Sequence, residues 1–552
     1  MATHGTPHDP TDHRRTIGLG SLLSVCLLGL LAAGEAFAAF LPLDHWAYRD
    51  LDALQVRGYQ VVPAATLKPY ARAQIARGVA RIAADSTEKT PYERQIIGRL
   101  MAEFAPDLEP DADRQGTVSR RDWWVMADVN PRVVVQENPL RLDQPRPYRL
   151  PAAEPVPKDR LRSINTLDLA FRVAPGLTTG QRLEMDSDGR ADNNYRGGDG
   201  SYTFGYTAQV DEAYVLYEMR WGSVAFGRIP LRWGPGRQGN LMLSENAPAV
   251  DMLLVNANVR WLHVAAFTGQ LDSRAPTLDT EIRRYLAGRR LSLTPFSWLE
   301  VGLAEAMLYG GPDQSLSLAW SNPVNFFYSE EVNSYGAQNN GTAAFDLALR
   351  PLRGVEMYGE FLIDDWSFDN QSPDRYALTV GTRWERPFGW DRFGLGAEYT
   401  RLTRWLYNNA NLTPYLRFTH RQAVLGHHLG PDGDALFLTG SWESSPWFVP
   451  DRGFFLTGLL THRRQGETRF TSRYPVDYPG TNFGYSSEPF PFGVVETTTT
   501  AELLIATPPV HGLIVTVAFQ GQTVRNPDNQ RAPRRWNAGF RLDLDWHIPV
   551  RW

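Results

Sequence analysis

The chain has 552 residues with 56 basic and 61 acidic side chains, a formal net charge of -5 at pH 7. Binding to nucleic-acid phosphates calls for an excess of Lys and Arg, so bulk nucleic-acid binding is not expected. The mean hydropathy of -0.35 is too polar for a bundle of membrane-spanning helices, each of which needs ~20 consecutive apolar residues. The 17 Trp, 22 Tyr, 47 Gly and 39 Pro are typical of a large exported β protein with many turns.

The first 38 residues have the layout of a secretory signal peptide. The Arg14-Arg15 pair precedes an apolar stretch from Ile17 to Ala33, and Ala36-Phe37-Ala38 places small residues at the two cleavage positions. We therefore predict that the mature chain begins near Ala39. Cys26 is the only cysteine and lies in the apolar stretch, so the exported protein would form no disulfide and no thiolate metal site.

Two features of this segment permit other interpretations. Cys26 resembles a lipoprotein acceptor, but the branched Val25 stands where lipidation signals have a small residue. The Arg14-Arg15 pair resembles a weak twin-arginine signal, which implies folding before export, a route that a chain without a cofactor does not need. We therefore expect ordinary unfolded secretion without a lipid anchor.

Residues 39–117 are predicted to form a small α-helical bundle. Thr90-Pro91-Tyr92-Glu93 is a capping box with proline at the first helical position, and Pro106 ends this helix. The segments 44–57 and 71–84 also carry apolar residues at helical spacing. Three short amphipathic helices of this kind can pack together as one domain.

The C-terminal segment alternates apolar and polar residues, as a β-strand does. Its apolar positions are Trp536, Ala538, Phe540, Leu542, Leu544, Trp546, Ile548, Val550 and Trp552. This alternation is longer than a typical soluble strand of ~5 to 6 residues, and aromatic residues at both ends match the girdles of outer-membrane barrels. The edge of a soluble β-sandwich would also alternate, but it would need a second sheet of matching length. We therefore predict that one face of this strand contacts lipid.

Residues 118–552 are predicted to form an all-β transmembrane barrel of about 18 antiparallel strands. Eight short turns contain or adjoin proline or glycine, at 174–177, near 222, and at 256–258, 294–298, 350–355, 386–390, 444–446 and 507–512. Nine longer polar connections lie between them, and seventeen connections join eighteen strands. Bacterial barrels have short periplasmic turns and long outer loops. Because the count is even, we expect the helical bundle and the C-terminus both to face the periplasm.

Motifs of cofactor sites and hydrolases are incomplete or absent in this sequence. The segment 234–239 matches the G-x-G-x-x-G pattern of dinucleotide-binding folds, but no helix is predicted after it. Asp186-Ser187-Asp188-Gly189 resembles the start of a calcium loop without its acidic closing residue. The mature chain contains no H-E-x-x-H or G-x-S-x-G motif. We therefore expect no cofactor, no bound metal and no enzymatic activity, with a barrel-embedded hydrolase as the third-ranked function.

Two long predicted loops combine basic and aromatic residues. Arg421 and His427 belong to one loop, and Arg469, Arg473 and Tyr474 belong to the next. Planar nitrogen donors bind sugar hydroxyls, arginine binds the carboxylates of acidic sugars in a bidentate way, and aromatic rings contact C–H faces of sugars. These residues are therefore candidate polysaccharide contacts. The outer loops of any barrel also carry arginine because they touch lipopolysaccharide, and the sequence leaves this alternative open.

Several motifs resemble the Wzi family of capsule-assembly outer-membrane proteins. The segments that carry the resemblance are Asp211–Val215, Gly222–Arg228, Arg232–Gly236, Asn322–Asn325 and Gly430–Asp434. The resemblance spans most of residues 40–552. It implies an eighteen-stranded barrel whose periplasmic end is closed by a helical bundle and which holds capsular polysaccharide at the cell surface as a lectin.

The segment around Trp233 permits two interpretations. If it lies at the surface, Trp233 would stack on a sugar ring while Arg232 and Arg237 hold acidic groups. If it folds inward, its Gly-Pro-Gly bend would constrict the lumen, and we favour this role because such a bend fixes its own backbone. An outer-membrane porin or substrate channel is the main alternative function for the chain, and it would need an open lumen.

The sequence thus predicts a non-enzymatic β-barrel of the bacterial outer membrane that binds or anchors capsular or other extracellular polysaccharide. Its expected partners are that polysaccharide, outer-membrane lipid and lipopolysaccharide. The barrel assembly machinery is a further expected partner, through the C-terminal strand that ends in Trp552. No nucleic-acid partner is expected.

Overall fold

The computed structural model describes residues 39–104, 107–108, 124–137, 161–174, 176–187, 205–277, 280–333, 339–366, 373–409, 414–421, 423–446, 452–472 and 489–551. The predicted signal peptide, the end of the predicted bundle at residue 117, and Arg473, Tyr474 and Trp552 lie outside these residues. In the part of the chain that is described, no helix is long and apolar enough to cross a membrane.

Three helices pack together at the start of the described chain: α1 (Ala47–Val56), α2 (Arg72–Ala84) and α3 (Pro91–Phe104). The predicted capping box is formed, because the Glu93 N–H donates to Thr90 Oγ1 at 3.2 Å and the Thr90 N–H donates to Glu93 Oε2 at 2.9 Å. The apolar sides of the helices share one buried core that includes Leu54, Ile75 and Ile96. Local capping and helical periodicity therefore explain where these helices lie.

Eighteen antiparallel strands form one closed sheet. They are β1 (Trp124–Glu137), β2 (Leu161–Ala174), β3 (Leu177–Asp186), β4 (Thr207–Met219), β5 (Gly222–Ile229), β6 (Val250–Val259), β7 (Leu262–Gln270), β8 (Thr280–Phe296), β9 (Leu299–Gly311), β10 (Asn339–Leu352), β11 (Val355–Asp365), β12 (Arg375–Glu385), β13 (Phe393–Leu402), β14 (Gly433–Glu443), β15 (Phe455–Gln465), β16 (Glu496–Ala506), β17 (Leu513–Arg525) and β18 (Arg535–Trp546, continued by Ile548–Arg551). Each strand pairs with the next, and β1 closes the sheet by pairing with β18, with Val133 opposite Leu544. Each of these eighteen strands is therefore paired on both sides, and the predicted barrel is confirmed.

Short turns occupy one end of the barrel and long connections the other, in the predicted order. One turn lies later than expected. Residues 256–258 still belong to β6, and the hairpin closes at Arg260 and Trp261, where Arg260 has a left-handed φ of 55°. The sequence misplaced this turn because two asparagines resemble a turn signal, although here they pair with the neighbouring strands.

The helices dock against the turn end of the barrel. The Gly354 N–H between β10 and β11 donates to the carbonyl of Val56, the last residue of α1, at 2.9 Å. Arg99 of α3, whose side chain is 4% exposed, donates to Asp50 of α1 and to Glu443 at the end of β14, with distances of 2.9 Å and 2.6 Å. A buried guanidinium between two buried carboxylates joins the helices to the barrel wall.

Candidate functional site

Residues 230–249 connect β5 to β6 and turn into the barrel; we call them the inward loop. Its short strand Arg232–Trp233 pairs in antiparallel fashion with Leu67–Lys68 of the N-terminal segment, so that Trp233 lies opposite Leu67. The Gly234 N–H donates to the carbonyl of Thr66 at 2.9 Å. A loop from one end of the barrel and a segment from the other therefore meet in the lumen.

Carboxylates on the inner face of the barrel bind the backbone of the inward loop. Glu398 of β13 accepts the N–H groups of Arg237 and Gln238 at 2.6 Å and 3.1 Å. Glu360 of β11 accepts the Leu241 N–H at 3.0 Å. Both carboxylates are buried, at 3% and 2% exposure. Hydrogen bonds from three backbone N–H groups to these two side chains hold the loop in one conformation.

Glycine is required at the start of this bend. Gly234 has a φ of +125°, and a Cβ at this position would lie 2.9 Å from Asn240 Oδ1 and 3.1 Å from Glu360 Oε1. Both the backbone conformation and the space therefore exclude a larger residue.

Arg237 joins three parts of the molecule. Its guanidinium lies 2.5 Å from Asp52 of α1 and also pairs with Glu356 of β11. Burial by itself raises the pKa of Asp52, but the charges of Arg237 and Lys68 more than offset this and lower that pKa below its ordinary value. Asp52 therefore stays ionised, and the ion pair links the helices, the inward loop and the barrel wall.

Trp233 and Arg232 are directed away from solvent. Trp233 is 2% exposed and packs edge-to-face against Phe267 of β7, with ring centroids 5.4 Å apart. Arg232 pairs with Glu245 at 3.2 Å and donates to the carbonyl of Gly236 within its own loop. This is the inward arrangement of the two that the sequence allowed, and it offers no ring face of Trp233 to a sugar.

A second long connection, residues 403–432 between β13 and β14, packs on the inward loop; we call it the covering loop. The Ser244 N–H donates to the Leu425 carbonyl at 2.9 Å. His427 is fully buried, stacks on His428 with ring centroids 4.5 Å apart, and lies against Gly239. Burial lowers the pKa of His427 well below its usual range and that of His428 to about 4, so both rings are neutral at pH 7.

Arg421, at the tip of a short hairpin of the covering loop, lies instead at the loop end of the barrel. Its N–H donates to Asp272 Oδ1 at 2.8 Å. It lines two cavities of about 190 Å³ and 240 Å³. Arg228 also lines both, and Gln270 and His420 line the smaller one. Because these two cavities share Arg228 and Arg421, we treat them together and call them the rim cavity.

The remaining predicted residues lie elsewhere. Arg469 donates to the side chain of Asn529 and to the carbonyls of Gly466 and Thr468, and so ties two loop segments together. Arg473 and Tyr474 lie outside the described residues. The structure therefore gathers Arg232, Trp233, Arg237 and His427 around the inward loop and places Arg421 and Arg469 apart from them. Among the residues described, no group of three or more His, Cys, Asp or Glu is arranged to hold a metal ion.

Sequence reasoning missed the carboxylates that hold the inward loop. They are Asp52, Glu356, Glu360 and Glu398. Three of them, Glu356, Glu360 and Glu398, occupy lumen-facing positions of strands whose residues alternate between lipid and lumen. An acidic side chain enclosed by protein at such a position needs a hydrogen-bonding or charged partner. Acidic residues at the lumen-facing positions were therefore the available signal, and they pointed to an occupied lumen. Arg228 of the rim cavity carried no such signal, because it ends a strand like many other arginines of this chain.

A closed sheet of eighteen antiparallel strands, with short turns at one end and long loops at the other, defines an outer-membrane β-barrel. Residues 167–538 match the family model of the capsule assembly protein Wzi. This match covers more than half of the chain, and the chain therefore belongs to the Wzi family of capsule assembly proteins. The predicted family and the predicted location in the outer membrane are confirmed.

Two relatives illustrate how far the similarity extends. A solved structure of Wzi from Escherichia coli, described as a carbohydrate-binding β-barrel involved in group 1 capsule assembly, has a TM-score of 0.60 and 14% sequence identity. That alignment covers 93% of this chain and 99% of the other, and it shows a shared fold. An uncharacterized 55.8 kDa protein in the cps region of Klebsiella pneumoniae is 26% identical over 219 residues, 37% of this chain and 40% of that protein. The sequence match thus spans less than half of that relative.

Proposed function

We propose that this protein binds acidic polysaccharide at the loop end of an outer-membrane barrel, without catalysis, as a component of capsule assembly. The observation that carries the proposal is the contrast between the two groups of predicted site residues. Trp233 and Arg237 hold the inward loop within the lumen, whereas Arg421 lines a cavity at the loop end. The family to which the chain belongs and the carbohydrate-binding description of Wzi from Escherichia coli support the same function.

The chemistry of the rim cavity suits an acidic sugar. Arg421 and Arg228 supply guanidinium groups, the chemistry that binds carboxylates in a bidentate way; Arg228 is paired in this manner with Asp251 at 2.9 Å, so a sugar carboxylate would share or replace that partner. Gln270 adds an amide and His420 an imidazole as further hydrogen-bonding groups, and the carboxylate of Asp272 accepts hydroxyl groups. Arginine for the carboxylate, with amide, imidazole and carboxylate groups for the hydroxyls, is a combination that suits a uronic acid.

The contacts in the lumen favour binding over conduction. The inward loop is held by a strand pair, two inner-face carboxylates and the Arg237–Asp52 ion pair. A porin needs a continuous water-filled path, and these contacts cross the lumen from wall to helix. In the outer membrane, the turn end of the barrel and the docked helices would face the periplasm, and the rim cavity would face the outside.

The experiment is a binding measurement on refolded full-length protein in detergent, with an immobilised polyuronate and a neutral polysaccharide of similar length. Arg421→Gln combined with Arg228→Gln should lower affinity for the polyuronate at least about tenfold, since one charge-assisted hydrogen bond contributes ~1.5 to 3 kcal/mol. Arg534→Gln is a control that removes one exposed arginine from another loop at the same end of the barrel.

The outcomes are distinct. Retained binding by the Arg534→Gln protein, together with loss in the double variant, supports the rim cavity as the site. Absence of binding by the wild-type protein to any acidic polysaccharide, with unchanged capsule retention in a deletion strain, would show that the proposed function is wrong. Heat-modifiability on gels verifies that each variant forms the barrel.

A further inference from the structure

A cavity of about 1090 Å³ lies at the turn end and outside the barrel wall, far from the rim cavity. The segment before α3 and its first turn form one side, from Glu88 to Arg94. The turns between β10 and β11 and between β12 and β13 form the other, with Arg353, Arg386 and Trp390. The N-terminal helices therefore overhang the edge of the barrel at this point, and a space remains between the overhang and the wall.

The floor of this cavity is part of the lipid-facing surface. Phe393 of β13 lies opposite Trp442 of β14, and Trp442 lies opposite Leu456 of β15, so the three form one row across the sheet. Trp442 is 43% exposed whereas its neighbour Glu443 is 2% exposed, as expected when alternate residues face the outside and the lumen. Tryptophan at the end of a barrel strand marks the level of the lipid headgroups.

The sides of the cavity carry excess positive charge. Five basic residues line it, against two acidic residues, Glu88 and Asp391; the basic residues are Lys89, Arg94, Arg353, Arg386 and Arg392. Asp391 already pairs with Arg57 at 2.8 Å, and Arg353 already pairs with Glu93 at 2.9 Å. The cavity therefore contains more cationic groups than its own carboxylates neutralise.

Three of the basic residues, Lys89, Arg94 and Arg386, are able to bind an anionic ligand. Lys89 Nζ donates to the backbone carbonyls of Asp85 and Thr87, and Arg94 donates to that of Lys89, so these hydrogen bonds go to neutral acceptors; Lys89 also lies near the exposed carboxylate of Asp85. Arg386 lies 3.9 Å from Asp391, with a side chain that is 50% exposed. An anion in the cavity would gain hydrogen bonds and Coulomb energy while the closer ion pairs of Asp391 with Arg57 and of Arg353 with Glu93 stay in place.

We propose that this cavity binds an anionic phospholipid, whose phosphate lies among Lys89, Arg94 and Arg386 and whose acyl chains follow the row of Phe393, Trp442 and Leu456. The lining decides between ligands of similar charge. A polysaccharide or a free phosphate would make no favourable contact with an apolar floor that faces the bilayer. A phospholipid would contact the basic residues with its phosphate and the adjoining apolar floor with its acyl chains. The lipid would bridge the N-terminal helices and the barrel rim, a role that is independent of polysaccharide binding.

The test is native mass spectrometry of the full-length protein, released from mixed micelles with phosphatidylglycerol or with phosphatidylcholine of the same acyl chains. The wild-type protein should retain phosphatidylglycerol in preference to phosphatidylcholine. The triple variant Lys89→Gln, Arg94→Gln, Arg386→Gln should lower the retained fraction about tenfold, because basic residues at a membrane surface attract anionic lipid.

A matched control removes three other cations at the same end of the barrel. Arg77→Gln, Arg220→Gln and Arg260→Gln change the net charge equally but line a different cavity. This variant should retain phosphatidylglycerol as the wild type does, and Trp442→Ser should retain less. Normal polysaccharide binding by the triple variant would separate the lipid site from the proposed function.

Three outcomes would overturn the inference. They are equal retention of both lipids by the wild-type protein, equal loss in the control and in the Lys89 triple variant, and full displacement of the lipid by glycerol phosphate. The last result would show that the headgroup alone accounts for binding and that the apolar floor is not part of the site.

Discussion

Replacing Arg237 with alanine should loosen the inward loop and let the barrel conduct ions. The side chain joins the loop to Asp52 of α1 and to Glu356 of β11. Within residues 230–249, all of which the structure describes, no other side chain forms ion pairs with both the helices and the wall. The substitution keeps the Gly-Pro-Gly bend and the burial of Trp233, so the barrel itself should assemble normally.

The size of the effect depends on which basic partners Asp52 and Glu356 retain after Arg237 is removed. Removing one partner of a buried ion pair costs ~3 to 5 kcal/mol when the other charge is left alone. Here Asp52 keeps Lys68 at 3.3 Å, and Glu356 keeps Arg350 at 3.1 Å. We therefore expect the lower end, about 3 kcal/mol, which raises the ratio of released to docked loop about 100-fold.

The assay is single-channel recording in planar bilayers. The frequency of openings should increase about 100-fold in Arg237→Ala, and hydrogen exchange of residues 230–249 should accelerate by a similar factor. Arg534→Ala is the control, because Arg534 is an exposed arginine in the connection between β17 and β18. Combining Arg237→Ala with Asp52→Asn should cost less than the sum of the two single changes, because both changes remove the same Arg237–Asp52 ion pair.

A folded Arg237→Ala protein with the opening frequency and the hydrogen exchange of the wild type would refute this reasoning. The loop would then be held by its strand pair with Leu67–Lys68 and by Glu360 and Glu398 alone. Frequent large openings in the wild-type protein would contradict the occupied lumen itself and favour a channel.

Three further predictions concern docking, topology and pH. Arg99→Ala leaves two buried carboxylates facing each other and should weaken docking of the helices by ~3 to 5 kcal/mol, seen as faster hydrogen exchange throughout α3. Leu544→Arg, on the lipid face, should lower the free energy of unfolding by ~2 to 4 kcal/mol and lower the temperature midpoint of heat modifiability. Asp543→Asn, on the lumen face, should assemble as the wild type does. Equal behaviour of the two variants would contradict the assignment of the lipid and lumen faces. Burial lowers the pKa values of His427 and His428 in the covering loop, to about 4 for His428, so the unfolded loop binds more protons than the docked loop between pH 6.5 and 4. The docked covering loop should therefore lose stability as the pH falls through this range. A channel-opening frequency that stays constant from pH 7 to 4.5 would contradict this.

The sequence alone was sufficient for the features that depend on near neighbours. A strand exposes alternate residues to lipid and lumen, so the pattern from Trp536 onward predicted a membrane strand before any partner was known. The capping box of Thr90 and Glu93 closes within one helical turn, and the structure forms it as predicted. Proline and glycine mark turns locally as well, and the one misplaced turn lies at a pair of asparagines that pair within the sheet instead.

Only the tertiary structure decided what the long loops do. The sequence could not tell whether Trp233 faces sugar or core, because its environment consists of Phe267 and the strand at Leu67, which are distant along the chain. Arg237 and Glu398 are separated by 161 residues along the chain, and the hydrogen bond between them can form only when the strands of the barrel are in place. Contacts of this kind depend on strand register around the whole sheet rather than on any local pattern, because each barrel strand aligns its inward residues only through its neighbours.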